Sequence, residues 1–439
     1  MERFMPNIVF LGAGSGFSTP LACDIMQVPE IGGGEFRLVD TDAERLKLSA
    51  DVIRRVAELV GGGRWTLCAT TERRTALPGA HYVINCIEVS GVDTVRLDND
   101  IPLKYGVSQC IGDTIGPGGL MKALRTVPVW LDVLRDCEEL CPDAWVLNYT
   151  NPMNIMCLAA QRTSRMTVVG LCHSVQGTSR QLAEYTGVPY AELEWRCGGI
   201  NHMSWFTTLR HHGRDLYPDL CRRVRDSPEL WEKDPVRFDV LLHFGAFVTE
   251  SSGHFSEYVP YYRKRPDLRS RYCRAGYLGG DSFYADNWPR WRQQCDDWRR
   301  RVLAGNEQIP TARTAEYASY IIAARETNVP FVFHGNVANR GLIDNLPPEG
   351  CVEAACVADR LGIHPLRFGP LPPQLAALCR SNMAFFDLAA TAAIERSREA
   401  AIHALLLDPL TAAVCCPAEI RQMAEELLAA EAPWLPAWR

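Results

Sequence analysis

The stretch Ile8-Val9-Phe10-Leu11-Gly12-Ala13-Gly14-Ser15-Gly16 decides the reading of the chain. Four consecutive apolar residues are the pattern of a strand buried on both faces of a parallel sheet. Glycines at alternate positions then let the backbone turn sharply and approach a pyrophosphate seated at a helix N-terminus. The third glycine of the usual dinucleotide fingerprint would fall at Phe17, so the match is imperfect. Phe36-Arg37-Leu38-Val39 reads as the next strand, and Asp40 closes it. A carboxylate at that point accepts hydrogen bonds from both ribose hydroxyls and repels a 2′-phosphate, which favours NAD+ over NADP+. Gly12, Gly14, Ser15, Gly16 and Asp40 are therefore the expected cofactor residues. A plain strand–helix turn with a solvated aspartate is the competing reading.

The same alternation continues outward. Trp65–Thr70, Tyr82–Ile87, Trp145–Leu147 and Thr167–Leu171 read as strands, with helical periodicity between the last few. The segment opening at Gly118-Gly119 sets Leu120, Leu124, Val127, Leu131 and Leu134 on one helix face, and Pro128 is expected to kink or shift it. Short buried strands alternating with helices predict an α/β fold, a Rossmann-like doubly wound sheet over residues 1–200. After about residue 200 amphipathic helices dominate, with loops rich in Arg, Asp and aromatics over 261–300. Residues 201–439 are expected to form a second, mainly helical α+β domain packed tightly on the first, in an arrangement like that of lactate and malate dehydrogenases.

Composition excludes several classes. The 439 residues, 47% hydrophobic and 22% charged, suffice for a sizeable core and are not those of a disordered chain. A net charge of −6 offers nothing that points to nucleic acid or an anionic membrane as partner. No apolar run reaches the ~18 residues of a membrane span. Seventeen cysteines, odd in number and scattered, with Met1–Pro6 running directly into a strand pattern, are expected to be mostly buried thiols in a reducing cytoplasm.

Residues that carry chemistry collect where strands should end. Cys172 closes Thr167–Leu171, and His202 lies in Gly198-Gly199-Ile200-Asn201-His202-Met203. A thiolate and a neutral imidazole suit a divalent transition metal, and two protein ligands leave positions open for substrate oxygens. The bland alternative for the cysteine is a buried small hydrophobe. His173 is a candidate acid, and Ser251-Ser252-Gly253-His254-Phe255-Ser256-Glu257-Tyr258 contributes His254 and Tyr258. Gly112–Gly119 and Asn148–Pro152 would bring Asp113, Asn148 and Asn151 to the ligand edge, where a carboxylate and amides grip sugar hydroxyls; as plain loops they would only punctuate the chain.

Taken in order, these segments resemble glycoside hydrolase family 4, the NAD- and metal-dependent glycosidases. The likeness runs essentially end to end, through Gly341-Leu342-Ile343-Asp344-Asn345-Leu346-Pro347 and Trp434-Leu435-Pro436-Ala437-Trp438. Cys172-His173-Ser174-Val175 is similar to the α-galactosidase (melibiase) branch, whereas phospho-sugar members carry other residues after the cysteine. The resemblance implies elimination and addition rather than the two-carboxylate scheme. In that mechanism NAD+ takes hydride from sugar C3, a base removes the acidified C2 proton, the aglycone leaves, water adds at C1 and the hydride returns.

It further implies Cys172 and His202 as ligands of a divalent ion, usually Mn2+ with Co, Ni or Fe also able to bind. His173 would be the acid. Tyr258 would be the base, given a nearby cation to depress its pKa, with His254 as rival. Asp113, Asn151 and His254 would contact a small α-galactoside, Asn148 would sit near the nicotinamide or substrate, and the chain would form a homodimer or homotetramer. An α-glucuronidase or α-galacturonidase of the same family is the runner-up, with Arg263 and Arg265 pairing a sugar carboxylate. A lactate/malate-type dehydrogenase and a non-enzymatic NAD-binding regulator are the readings from other classes; both bind nucleotide without needing a metal.

Overall fold

Six parallel strands form one half of a sheet: β1 (Asn7–Leu11), β2 (Gly34–Val39), β3 (Trp65–Thr70), β4 (Tyr82–Asn85), β5 (Trp145–Asn148) and β6 (Thr167–Leu171). A computed structural model describes residues 5–438, so the reading of Met1–Phe4 lies outside the described residues. The strands lie in the order β3-β2-β1-β4-β5-β6, that of a doubly wound dinucleotide-binding sheet. Both faces are covered: along β1, Val9 and Leu11 enter one apolar core and Ile8 and Phe10 the other. The helix expected near Gly118 starts at Gly116, runs to Leu140 and carries Pro128 inside one continuous element. Leu120, Leu124, Val127 and Leu134 are buried as the periodicity requires, and Leu131 is half-buried.

From residue 193 onward the expected helices are joined by strands that periodicity did not mark. These are β7 (Leu193–Ile200), β8 (Met203–His211), β9 (Arg214–Asp215), β10 (Phe247–Val248), β11 (Phe331–Ala338), β12 (Cys351–Asp359) and β13 (Gly362–Pro365). They extend the parallel half antiparallel, β6-β11-β12-β7-β8-β10, with β9 on β8 and β13 on β12, so one sheet of thirteen strands runs through the described residues. Residues 261–300, expected as loops, are in large part the helices Pro266–Tyr272 and Phe283–Leu303. The second of these is half-buried along much of its length and buries two charged residues, Asp296 and Arg299, beside Ala285 and Val302, so it shows no clean apolar stripe.

Register lines up one row of residues across the sheet: Val39, Leu11, Asn85, Asn148, Gly170, Asn336, Glu353, Gly199 and Ser204. Five of them are polar yet buried: Asn85, Asn148, Asn336, Glu353 and Ser204. The row marks the C-terminal edge of the parallel strands. Gly12 and Asp40 follow it at one end, Cys172 lies two residues past it in the middle, and His202 sits in the turn at the other end.

Candidate active site

At the first end, Gly12 leaves β1 with φ +76°, and a Cβ there would stand 2.3 Å from the Cys86 carbonyl oxygen. Only glycine lets β1 turn against the end of β4. The Val39 carbonyl accepts the N–H groups of Gly12 and Ala13, each at 2.9 Å. Asp40 faces the turn: Oδ2 accepts the Gly14 N–H at 2.7 Å and Oδ1 accepts the Asp42 N–H at 2.9 Å. The carboxylate therefore shapes the glycine turn as well as carrying the charge expected beside a ribose. Helix Ser18–Met26 follows with no side chain capping its first turn; the Ser15 carbonyl accepts the Ser18 N–H at 3.4 Å and Pro20 has no N–H, which leaves the Thr19 N–H for an anion. From helix Phe283–Leu303, the fully buried Arg299 donates to the carbonyls of Gly14 at 2.9 Å and Ser15 at 2.6 Å.

At the other end, Cys172 Sγ lies 3.3 Å from Ser174 Oγ and accepts the Ser174 N–H at 3.5 Å, at the start of helix Ser174–Thr186. His202 has φ +63° in the β7–β8 turn. Its Nδ1 is 3.1 Å from the Tyr258 hydroxyl and its Nε2 is 3.5 Å from Glu250 Oε2. Cys172, His202 and Glu250 each offer a ligand atom within 4.8 Å of the others. One sulfur, one ring nitrogen and one carboxylate oxygen form a donor set that fits a divalent transition ion. The expected pair is thus joined by a carboxylate that the sequence reading passed over.

Asp113 lies beside this cluster. Its Oδ2 accepts from Asn151 Nδ2 at 3.2 Å, its Oδ1 accepts from the Thr114 hydroxyl at 2.6 Å, and His254 Nε2 is 3.8 Å from Oδ1. That Nε2 is buried with no hydrogen-bond partner, a polar atom left for a ligand. Lys122 Nζ is 3.6 Å from Asp113 and 2.9 Å from Glu88. Glu257 holds the loop that presents Asp113, accepting the N–H groups of Cys110 at 2.5 Å, Ile111 at 2.6 Å and Gly112 at 3.1 Å.

Charge in the pocket is mostly negative. Burial first, then Glu353 and Glu250, push the Cys172 thiol up. Against burial, His202 and the His254 contact hold Glu250 well below the usual carboxylate range. Against burial, Lys122 and then His254 hold Asp113 below its ordinary value. Tyr258 moves the other way from what a base requires: burial, then Asp113, Glu250 and Glu257, push its phenol up. The cation beside Asp113, Lys122, is taken up by Glu88 and Asp113.

Four expectations need correction or refinement. Asn148 is fully buried and spends its amide inside the protein, accepting from Asn85 Nδ2 at 2.8 Å and donating to the Thr150 carbonyl at 3.0 Å. It ties strand ends together instead of offering an amide to a nicotinamide. His173 stands at the rim, its side chain 62% exposed and its Nδ1 3.8 Å from Glu316. Arg263 is buried and donates to the Ser108 carbonyl at 2.7 Å, the Gly279 carbonyl at 3.1 Å and Asp281 at 2.8 Å. Arg265 is exposed and paired with Asp267 at 3.0 Å. Neither arginine is free for a sugar carboxylate, because the Arg-rich segment folds back on the Asp113 loop and on itself.

The residues missed were Glu250, Lys122, Glu353 and Arg299. Lys122 had a signal, being one of only five lysines among 46 basic residues. Glu353 had another: it is a charge inside the apolar run Cys351-Val352-Glu353-Ala354-Ala355-Cys356.

The sequence profile of the family 4 glycosyl hydrolases matches residues 7–188, and that of the family 4 glycosyl hydrolase C-terminal domain matches residues 197–411. The chain belongs to family 4 of the glycosyl hydrolases. Within that family it is 40% identical over 442 residues to an alpha-galactosidase of Bacillus subtilis, covering 99% of this chain and 100% of the relative. It is 39% identical over 441 residues to an alpha-galactosidase of Rhizobium meliloti, covering 98% and 89%. The fold is that of a solved 6-phospho-alpha-glucosidase from gut microorganisms in complex with NAD and Mn2+, with a TM-score of 0.83 at 20% identity over 99% of this chain and 100% of that one. The mixed sheet, Rossmann-like in its first half with helices around the second, is the family's architecture.

Proposed function

We propose that this family 4 glycosidase is an α-galactosidase that uses NAD+ catalytically, together with a divalent metal, manganese first, on small α-galactosides. The observation that carries the reading is the meeting of Cys172, His202 and Glu250 with Asp113, Asn151 and His254 on the strand-end edge that also carries the glycine turn. The names of the two relatives near 40% identity support galactoside as the sugar.

Gly12, Gly14, Ser15, Gly16 and Asp40 would hold the nucleotide, and Cys172 and His202, with Glu250 beside them, the metal. When bound, NAD+ supplies a reversible hydride acceptor and the ion a Lewis acid that makes the sugar C2–H acidic. Asp113 and Asn151 orient sugar hydroxyls. His202, with Nε2 committed to a ligand, keeps its proton on Nδ1 and donates it to the Tyr258 oxygen 3.1 Å away. That bond favours the phenolate against the burial and carboxylates that hold the phenol up, and on this ground Tyr258 is the first candidate to take the C2 proton. His254, between Glu250 and Asp113, is the second candidate for that proton. His173, at the wet rim, is suited to protonate the leaving oxygen and recover its proton from solvent.

Residues 1–200 carry the nucleotide turn and also bring Cys172, Asp113 and Asn151 to the site, and 201–439 add His202, Glu250, His254 and Tyr258 and serve self-association, so the sugar and metal site is shared along a sheet that runs unbroken between them. The exposed side chains of Val329, Val332 and Leu361 support contact between copies in a homodimer or homotetramer. Seventeen free cysteines support a reducing compartment, the cytoplasm. No helix among the described residues is long and apolar enough to cross a membrane.

The test is hydrolysis of an aryl α-galactoside in deuterated water by enzyme stripped of NAD+ and Mn2+ and then reloaded. Activity should need both, and deuterium should appear at C2 of the released galactose. Full activity without NAD+, with no deuterium at C2, would overturn the elimination reading.

A further inference from the structure

We infer that Glu250 is a resident third protein ligand of the metal, so that the chain holds its ion by thiolate, imidazole and carboxylate before any sugar arrives. The inference rests on the metal-dependent reading above and adds to it a residue and an ion preference.

Four observations carry it. Glu250 Oε2 stands 3.5 Å from His202 Nε2, the ring nitrogen not used by Tyr258, and it shares the 4.8 Å cluster with Cys172 Sγ. Its other oxygen, Oε1, is anchored, accepting from the Tyr277 hydroxyl at 3.1 Å and the Ser251 N–H at 3.1 Å. One oxygen fixed by outer hydrogen bonds and one turned toward other donors is how ligating carboxylates are held. The backbone is set for the purpose: Glu250 has φ +72°, a left-handed conformation rare for a non-glycine residue. Just before it, Thr249 is stapled to β8, with its N–H donated to the Ser204 carbonyl at 2.8 Å and its hydroxyl accepting the Ser204 N–H at 3.0 Å. That staple puts Glu250 opposite the turn carrying His202.

The chemistry follows from the donor set. A thiolate and a carboxylate balance a doubly charged ion, and three protein ligands leave positions for two sugar oxygens. A thiolate–imidazole pair alone is soft enough for cobalt or zinc, whereas a carboxylate oxygen moves the site toward the harder manganese. The competing role is purely orienting: Glu250 Oε1 is also 3.8 Å from His254 Nδ1. A residue that only orients His254 leaves metal affinity unchanged.

The experiment is Mn2+ binding to NAD+-loaded, sugar-free, full-length protein, followed by the electron paramagnetic resonance signal of free Mn2+ and by calorimetry. Glu250→Gln should weaken Mn2+ by about tenfold or more and Co2+ by less, while the thiolate-to-cobalt absorption band and NAD+ affinity persist. Glu250→Asp should fall between wild type and Glu250→Gln; if the glutamine variant does not fold, the aspartate variant carries the test, and undiminished affinity in it counts against the inference. Mn2+ affinity in Glu250→Gln within about twofold of wild type would assign Glu250 to orienting His254 and overturn the inference, leaving the α-galactosidase reading in place. Wild-type protein that takes up no Mn2+, or Cys172→Ser that takes it up undiminished, would instead bring down the metal-dependent reading itself.

Discussion

Arg299 lies 284 residues after Ser15, yet the geometry makes it a support of the nucleotide turn. Its side chain is fully buried and donates to the Gly14 and Ser15 carbonyls at 2.9 and 2.6 Å, with Asp296 at 3.2 Å beside it. Arg299→Met removes two charge-assisted hydrogen bonds, each worth about 1.5–3 kcal/mol, and leaves the buried Gly14 carbonyl without this donor, while the Ser15 carbonyl keeps the Ser18 hydroxyl at 2.8 Å. Asp296 keeps Arg45 at 3.1 Å, so the loss does not spread to that carboxylate. The expected destabilisation is about 3 kcal/mol, the lower end for two hydrogen bonds from a charged donor, because no buried charge is left unpaired. Loosened peptide planes at Gly14 and Ser15 should also weaken NAD+ by about tenfold, or roughly 1.4 kcal/mol. Urea unfolding with and without NAD+ reads both effects. At a concentration of about 100 times the wild-type Kd, NAD+ should stabilise wild type by about 2.7 kcal/mol and the variant by about 1.4. Arg300→Met is the control, since Arg300 is 47% exposed and bound to Asp297 at 2.9 Å; it should stay within about 0.5 kcal/mol. An Arg299→Met protein equally close to wild type, with an unchanged NAD+ increment, would refute the clamp.

Gly12→Ala should cost at least about 2 kcal/mol and abolish NAD+ binding, because its Cβ would meet Cys86 at 2.3 Å, whereas Gly16→Ala, with nothing nearer than 3.9 Å, should fold normally. Thermal unfolding and NAD+ titration of the two variants check this contrast. Burial pushes Asp408 from 3.8 up to about 6, so the stability its protonated form contributes is complete below about pH 4 and lost as pH rises through 6. Asp408→Asn keeps an acceptor for the Thr411 N–H, bound at 2.8 Å, and should flatten that slope, adding up to about 3 kcal/mol at pH 8 in urea unfolding. NAD+ should bind more tightly than NADP+, and Asp40→Asn should narrow the gap while weakening both, since Asp40 also holds Gly14 at 2.7 Å. Fluorescence titration with the two nucleotides would show whether the carboxylate sets that preference.

The parallel half of the sheet was legible because its strands are buried on both faces and read as plain apolar runs, such as Ile8–Leu11 and Thr167–Leu171. The antiparallel half was not. β11 holds His334, Gly335 and Asn336, and β12 is built on Ala, Cys and Glu353, so neither gives a clean run or an alternation. Strand ends pointed to Cys172, Asp113 and Asn151, and the family resemblance gave roles to His202, His254 and Tyr258; the structure gathers all six into one pocket. Glu250 had no periodic signal, since it stands alone in a turn and is brought opposite His202 through the β8–β10 pairing. Asn148 and Arg263 were misjudged for a common reason. A polar residue in a glycine-rich or basic segment says nothing about which way its side chain faces, and both face inward.

What aligns the two ends of the site is the joint between the halves of the sheet. β6 meets β11 through only two residue pairs, Gly170 with Asn336 and Leu171 with Gly335. A slip of one residue there would turn every later side chain to the opposite face and carry Glu353 and the His202 turn away from Cys172. Side-chain volume opposes the slip. A Cβ on Gly170 would lie 2.5 Å from Met153 Sδ, 2.7 Å from Cys157 Sγ and 2.9 Å from Asn336 Cβ, so the joint closes only where glycine meets that packing. Asn336 then bonds in both directions, donating Nδ2 to the Gly170 carbonyl at 3.3 Å and to Glu353 at 3.4 Å. Glu353 in turn accepts the Ser204 hydroxyl at 2.8 Å, next to the turn that carries His202. The buried polar row is therefore a chain of directional contacts from the cysteine strand to the histidine turn. Apolar packing alone would tolerate several registers; Asn336 Nδ2 and Glu353 make these hydrogen bonds in one.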